Sequence, residues 1–243
     1  MDREKIIEVR DVTKRFGRLT ALDSLTLDIY KGEIFGLLGP NGAGKSTFIS
    51  ILTTIAKPTL GDIIAVGHSV TRQAGEVKKV LGYVPQDIAL YPMLSGMDNL
   101  KFWGGIYGLR GKVRKERIEE ALSIVRLTDR VKDRVETYSG GMKRRLNIAV
   151  SLLNHPEILV MDEPTVGVDV KSRRLIFDAV RQLKKEGRTI IFTSHYIDEM
   201  EEACDRLAIL SSGKLEAIGT AEELKAHYNK ERVEEILNGL DEY

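Results

Sequence analysis

The sequence predicts an α/β fold, a mainly parallel sheet whose two halves are separated by an inserted run of helices. Three observations carry this expectation. A short apolar run, EIFGLLG at 33–39, ends in glycine and leads directly into the helix-like KSTFISILTTIA at 45–56. Strand, glycine turn and helix in that order open an α/β unit. From 157 onward, strand-like and helix-like segments alternate as EILVMD, SRRLIFDAVRQLKKE and RTIIFTS, and this alternation implies parallel strands joined by crossover helices. Between the two halves, over roughly 93–155, the chain is helical in pattern and more charged.

The elements follow in order. Residues 6–13 (IIEVRDVT) and 22–29 (LDSLTLDI) alternate apolar and polar at period two, with Gly17 and Gly32 as punctuation, and read as strands. Within KVRKERIEEALSIVRL (112–127), Val113, Ile118, Ala121, Leu122 and Val125 fall on helical spacing. In the tail, 221–243, Val233, Ile236, Leu237 and Leu240 stand at i, i+3, i+4 and i+7. That stripe predicts an amphipathic helix packed on the domain, with a dimer or partner contact as the alternative.

Composition narrows the classes. A chain of 243 residues, 42% hydrophobic and 30% charged, suits one large domain or one domain with an inserted subdomain. Lys and Arg number 37 against 36 Asp and Glu, a net charge of +1, so no global basic field holds nucleic acid or an anionic membrane. The single cysteine, Cys204, excludes an intrachain disulfide framework and fits a reducing cytoplasm. MDREKIIEVRDVTKRFG has no apolar stretch like a signal peptide, and no run approaches the ~18 apolar residues of a membrane-spanning helix. The expectation is a cytoplasmic chain that does not itself cross a bilayer.

Gly39-Pro40-Asn41-Gly42-Ala43-Gly44-Lys45-Ser46 fits G-x-x-x-x-G-K-[ST] in the strand-to-helix context this motif requires. Its glycines let the backbone curl so that successive N–H groups point inward as an anion nest, and the positive end of the following helix adds to that field. Lys45 is expected to reach the β- and γ-phosphates and the Ser46 hydroxyl to ligate Mg²⁺. Further on, Ile158-Leu159-Val160-Met161-Asp162-Glu163 has the form of a buried strand delivering two acids at its end. Asp162 is expected to hold water ligands of Mg²⁺, and Glu163 to accept a proton from the water attacking the γ-phosphate.

Tyr138-Ser139-Gly140-Gly141-Met142 is followed by Lys143, Arg144 and Arg145, and Glu163-Pro164-Thr165-x-Gly167-x-Asp169 extends the acidic strand. Taken with Gly39–Thr47, these motifs resemble the nucleotide-binding subunit of an ATP-binding cassette (ABC) transporter over about residues 6–220. The resemblance implies a P-loop NTPase core with an N-terminal antiparallel β subdomain and an inserted α-helical subdomain. Its domain spans 4–220, with the insert at about 93–155 and a helical tail at 221–243. It further implies that Phe16 in KRFG stacks on adenine, that Gln86 in YVPQD contacts Mg²⁺ and the attacking water, and that His195 in TSH contacts the γ-phosphate. His68, His155 and His227 match none of its motifs. Ser139, Gly140 and Gly141 would cap the γ-phosphate held by an opposing subunit, with Asp169 in a loop at the dimer contact. Two Mg·ATP would then be buried in a head-to-tail homodimer or heterodimer.

The sequence departs from the usual family pattern at Tyr138, Met142 and Val168, while Ser139 and the two glycines are retained. YSGGM with basic residues after it resembles the antibiotic and multidrug export branch. The leading expectation is an ATPase on the inner face of the cell membrane that powers a separately encoded permease, with no nucleic-acid partner. The alternative is a non-transport, nucleotide-driven clamp of the same superfamily. One cassette, no long heptad tract and a net charge of +1 favour transport. The permease surface is expected within about Asp87 to Arg110, where Tyr91, Met93, Met97, Phe102, Trp103 and Tyr107 share a charge-poor run. The competing reading of that run is the insert's own core.

Overall fold

A computed structural model describes residues 3–194 and 196–240. The strands β1 (Lys5–Phe16) and β2 (Leu19–Tyr30) form an antiparallel hairpin, turning through Gly17, which takes a positive φ of 58°. β3 (Ile34–Leu38) leads through residues 39–44 into helix α1 (Lys45–Leu52). That helix stops four residues short of its sequence expectation. The Thr53 hydroxyl donates to the Ile49 carbonyl at 2.7 Å, and Thr54 turns the chain at φ 62°.

β4 (Leu60–Ala65) and β5 (His68–Ser69) then complete a four-stranded antiparallel sheet in the order β2-β1-β4-β5. Helix α2 (Ala74–Val80) and strand β6 (Leu81–Val84) follow. The next three helices are α3 (Gly96–Ile106), α4 (Gly111–Val125) and α5 (Gly140–Leu152). The chain continues through β7 (Ile158–Met161), α6 (Val170–Lys185), β8 (Thr189–Thr193), α7 (Ile197–Ala203), β9 (Arg206–Ser211) and β10 (Lys214–Gly219). It closes with α8 (Ala221–Tyr228) and α9 (Val233–Leu240).

The second sheet has six strands in the order β10-β9-β3-β8-β7-β6, parallel except for β10. β3 and β7 carry no polar side chain, and β8 and β9 are apolar between their ends, because both faces of the sheet are covered. Phe35, Leu37, Ile158, Val160 and Ile191 pack toward the antiparallel sheet and α1, whereas Leu159, Met161, Ile190 and Phe192 pack toward the helical side. Burial on both faces fixes the level of each strand end, and the strand ends carry the motif residues.

Two regions refine the sequence reading. In the stretch from Asp87 to Arg110, Tyr91, Met93, Phe102 and Tyr107 are exposed, while Met97 and Trp103 pack against the core. The aromatic run is therefore divided between surface and core. The tail forms two helices: α8 opens with a Thr220–Glu223 capping box and ends at Asn229 in the left-handed region. On α9, Val233, Ile236 and Leu237 are buried in the core, and the Val233 amide donates to Glu201 on α7 at 2.8 Å. These contacts favour the packed-helix reading of the stripe.

Candidate functional site

The glycines between β3 and α1 serve different ends. Gly39 at φ 147° passes so close to the Leu210 carbonyl that a Cβ would overlap it. At Gly44, φ 104°, a Cβ would lie 2.6 Å from the Ala21 carbonyl. Gly42 at φ 83° faces open space and needs glycine for its backbone conformation alone. The loop is thus held against β9 and β2 by two glycines and curled by all three. The Lys45 ammonium donates back to the Gly39 and Pro40 carbonyls, closing the ring from inside. Ser46 at the first turn of α1 is exposed.

Phe16, Asn41 to Thr47 and Glu163 line a common cavity of about 260 Å³, together with Leu19 and Ala21. The Phe16 ring is 53% exposed, with the Lys14 ammonium 4.9 Å from its centroid. A larger cleft of about 420 Å³ opens between α6 and α7, where Arg173 and Arg181 pair with Glu199 and Glu202. None of the phosphate-loop, Gln86, acidic-strand or signature residues lines that cleft.

β7 ends level with β6 and β8, so Asp162 and Glu163 emerge beside Gln86 and Thr193. The Thr193 hydroxyl donates to Asp162 Oδ1 at 2.8 Å and accepts the Glu163 N–H at 2.9 Å. Glu163 itself sits at φ 48°, a left-handed conformation that a non-glycine residue keeps only when its surroundings enforce it. The Gln86 amide donates to Glu163 Oε2 at 2.8 Å. The sequence reading named Gln86, Asp162 and Glu163, but it missed Thr193, the residue that ties the two acids together. Only its position two residues before His195 on an apolar strand could have pointed to it.

Ser139, Gly140 and Gly141 do not line the cavity. They open α5, where Ser139 accepts the Met142 N–H at 3.2 Å as an N-cap. A Cβ on Gly141 would overlap the side chain of Ser172 and lie 3.2 Å from Asp169 Oδ2. Gly141 is therefore required by the close packing of α5 on the start of α6, a constraint separate from any phosphate contact. Asp169 caps α6 by accepting the Ser172 N–H at 3.0 Å, and that backbone bond holds its carboxyl below the usual range. Tyr138 is buried, with its hydroxyl donating to the Arg130 carbonyl at 2.7 Å, and a Cβ on Gly96 would come within 2.5 Å of that hydroxyl. Tyrosine at 138 and glycine at 96 fit each other. His195 lies outside the described residues.

The donor set fits a magnesium nucleotide. Ser46 on the cavity wall, the Gln86 side-chain carbonyl and the Asp162 carboxylate are hard oxygen donors of the kind Mg²⁺ takes. Among the described residues no cluster of three or more His, Cys, Asp or Glu side chains could hold a metal ion alone. No described helix is long and apolar enough to cross a membrane.

A glycine cradle at the end of one parallel strand, facing acids at the end of another across β8, defines a P-loop nucleotide hydrolase. The ABC transporter family profile matches residues 22–166. The linearmycin resistance ATP-binding protein LnrL of Bacillus subtilis (strain 168) is 43% identical over 98% of this chain and 76% of its own length. The daunorubicin resistance ATP-binding protein DrrA3 of Streptomyces coeruleorubidus is 39% identical over 95% of this chain and 73% of its own. Among solved structures, the ATP-binding subunit of an ABC transporter superposes with a TM-score of 0.87 at 26% identity, covering 97% of this chain and 99% of that one. The ATP-binding cassette MJ0796, a dimer in a post-hydrolysis state bound to ADP and Pi, gives 0.78 at 28% identity over 88% and 98%. The chain belongs to the ABC transporter family, as an ATP-binding subunit with ATPase activity.

Proposed function

We propose that this chain is the motor subunit of an exporter, closing head to tail with a second cassette around two Mg·ATP and driving a separately encoded membrane permease. The observation that carries the reading is the Glu163 carboxylate, fixed by its left-handed backbone and by Gln86 in the same cavity as the phosphate loop. Magnesium, when bound, neutralises charge on the β- and γ-phosphates.

The chain's own residues do the rest. Phe16 stacks on the base, a contact available to any purine. The loop amides and Lys45 hold the phosphates, Ser46 supplies a hydroxyl to the metal, and Asp162 orients the metal's waters. Gln86, with its amide nitrogen on Glu163, has a carbonyl oxygen to offer the metal. Glu163 takes the proton of the attacking water, and His195 contacts the γ-phosphate. Ser139 and the N-terminus of α5, beside Asp169, cap the γ-phosphate of the opposing subunit. Domain bounds of 4–220, with the insert at 93–155 and the tail at 221–243, go with this reading.

LnrL and DrrA3 are drug-resistance ATP-binding proteins, which supports export. The exposed Tyr91, Met93, Phe102 and Tyr107 form the permease-facing surface in this account, and the chain lies peripherally on the inner face of the membrane. Cysteines placed at Tyr91 and Met93 in membranes of the native host test the coupling, with the natural Cys204, partly buried and with its thiol pushed up by burial, as the background control. The expected result is a cross-link to an integral membrane protein. Labelling of soluble protein alone, with transport and assembly intact after charge substitution at both positions, would overturn this placement of the permease surface.

A further inference from the structure

The basic residues after the signature are not equivalent. Arg145 and Arg144 are both buried, yet they point their guanidinium groups to different places. Arg145 donates to the Val125 and Arg126 carbonyls at 2.8 and 2.9 Å, closing the C-terminus of α4, a structural role. Arg144 donates from Nη1 to the Pro85 carbonyl at 2.8 Å and from Nη2 to the Gln86 carbonyl at 2.6 Å. One turn further along α5, buried Asn147 donates to the Asp87 carbonyl at 3.4 Å and accepts the Ala89 N–H at 3.3 Å. Two side chains on one face of α5 therefore grip the main chain of residues 85, 86, 87 and 89.

The gripped segment is irregular loop that leaves the sheet after Val84, and residues 86–89 are exposed. Loop backbone of this kind wanders unless something holds it. The Gln86 side chain must nonetheless stay within hydrogen-bond reach of Glu163. We infer that Arg144 and Asn147 are positioning residues for hydrolysis, fixing the Gln86 main chain so that its amide stays on the Glu163 carboxylate. Burial pushes the Arg144 guanidinium below its ordinary value, and Asp87, Asp162 and Glu163 nearby offset that only in part. Because Ser139 caps the same helix, the grip links the signature end of α5 to this chain's own catalytic loop.

The inference rests on the reading of Gln86 and Glu163 as partners in hydrolysis, so two measurements keep the questions apart. The first is a double-mutant cycle in steady-state ATP hydrolysis. Arg144→Ala is expected to lower kcat about tenfold with KM for ATP within about twofold, and to change kcat less than about twofold in a Gln86→Ala background. Arg144→Lys, which keeps a buried donor and the charge, should recover most of the rate. Equal effects of Arg144→Ala in both backgrounds would overturn the inference, including the case in which Gln86→Ala alone changes nothing. The second measurement needs no activity. By hydrogen exchange, the peptide containing residues 85–89 should exchange at least about tenfold faster in Arg144→Ala/Asn147→Ala than in the parent. Peptides covering 39–47 should be unchanged. Parental exchange at 85–89 would overturn the grip whatever the fate of the catalytic reading.

Discussion

Thr193→Val removes one hydroxyl from the site and almost nothing else. Thr193 is 1% exposed at the end of β8, and valine fills nearly the same volume. The hydroxyl accepts the Glu163 N–H and donates to Asp162 Oδ1, so valine leaves a buried amide without its acceptor. An unmet buried donor costs about 1–3 kcal/mol. The Asp162 side of the loss is smaller, because that carboxylate is only partly buried and water can replace the bond. A net destabilisation of about 2 kcal/mol is expected, which lowers Tm by about 4–8 °C in a domain of this size.

The effect on turnover should be larger than the effect on stability. The bond to Thr193 helps hold Glu163 at φ 48°, and its loss lets the backbone relax toward a commoner conformation. A shift of about 1 Å in a reacting group costs up to about 100-fold in rate. Phosphate release by Thr193→Val should therefore fall between about 10- and 100-fold, while affinity for Mg·ATP stays within about threefold. Thr193→Ser, which keeps the hydroxyl, should recover most of the rate. Parental turnover with an unchanged Tm in Thr193→Val would refute the reasoning that this hydroxyl sets the acid pair.

Four further outcomes follow from the same site. Gly141→Ala forces a methyl into the side chain of Ser172, and overpacking of that kind costs about 1–3 kcal/mol. Combined with Ser172→Gly, the same alanine should be tolerated far better, as urea unfolding would read out. Asp169 has a folded-state carboxyl below its ordinary value because the Ser172 amide donates to it. Its contribution is therefore present above the unfolded pKa of about 3.9 and is lost as pH falls through the lower folded value. The stability difference between the parent and Asp169→Asn should accordingly shrink from pH 7 to pH 2.5. Phe16→Ala should weaken nucleotide binding with little change in kcat, since stacking on the base is made equally in the ground and transition states. Chelating Mg²⁺ with EDTA should abolish phosphate release, and added Mg²⁺ should restore it.

Much of the site could be read from the chain because its residues cluster in short local motifs. Gly39 to Ser46 forms the strand-to-helix turn its spacing requires, and Asp162-Glu163 ends a four-residue buried strand, as the apolar run implied. What escaped depends on distant pairing. β4, β5 and β6 are short, and the apolar residues of 60–69 and 81–84 show no period long enough to declare a strand. Thr193 meets Glu163 across 30 positions, and Arg144 meets Gln86 across 58, so neither contact leaves a local signature. The glycines were legible as glycines but not in their reasons. At Gly39, Gly44 and Gly141 the decisive neighbours are Leu210, Ala21 and Ser172, which only the packed sheets and helices bring near.

The central claim is that Glu163 is the base of an ATPase that closes as a dimer, and Glu163→Gln tests it most directly. Glutamine keeps the shape at 163 and the phosphate loop untouched, but it cannot take a proton from water. Loss of a well-placed base costs about 10²–10⁴-fold, or about 3–5 kcal/mol of barrier. Gel filtration of Glu163→Gln in Mg·ATP, with nucleotide content and phosphate release measured on the same fractions, gives the answer in one run. The account predicts a dimer holding two unhydrolysed ATP, absent without nucleotide. A monomer that releases phosphate at close to the parental rate would contradict it.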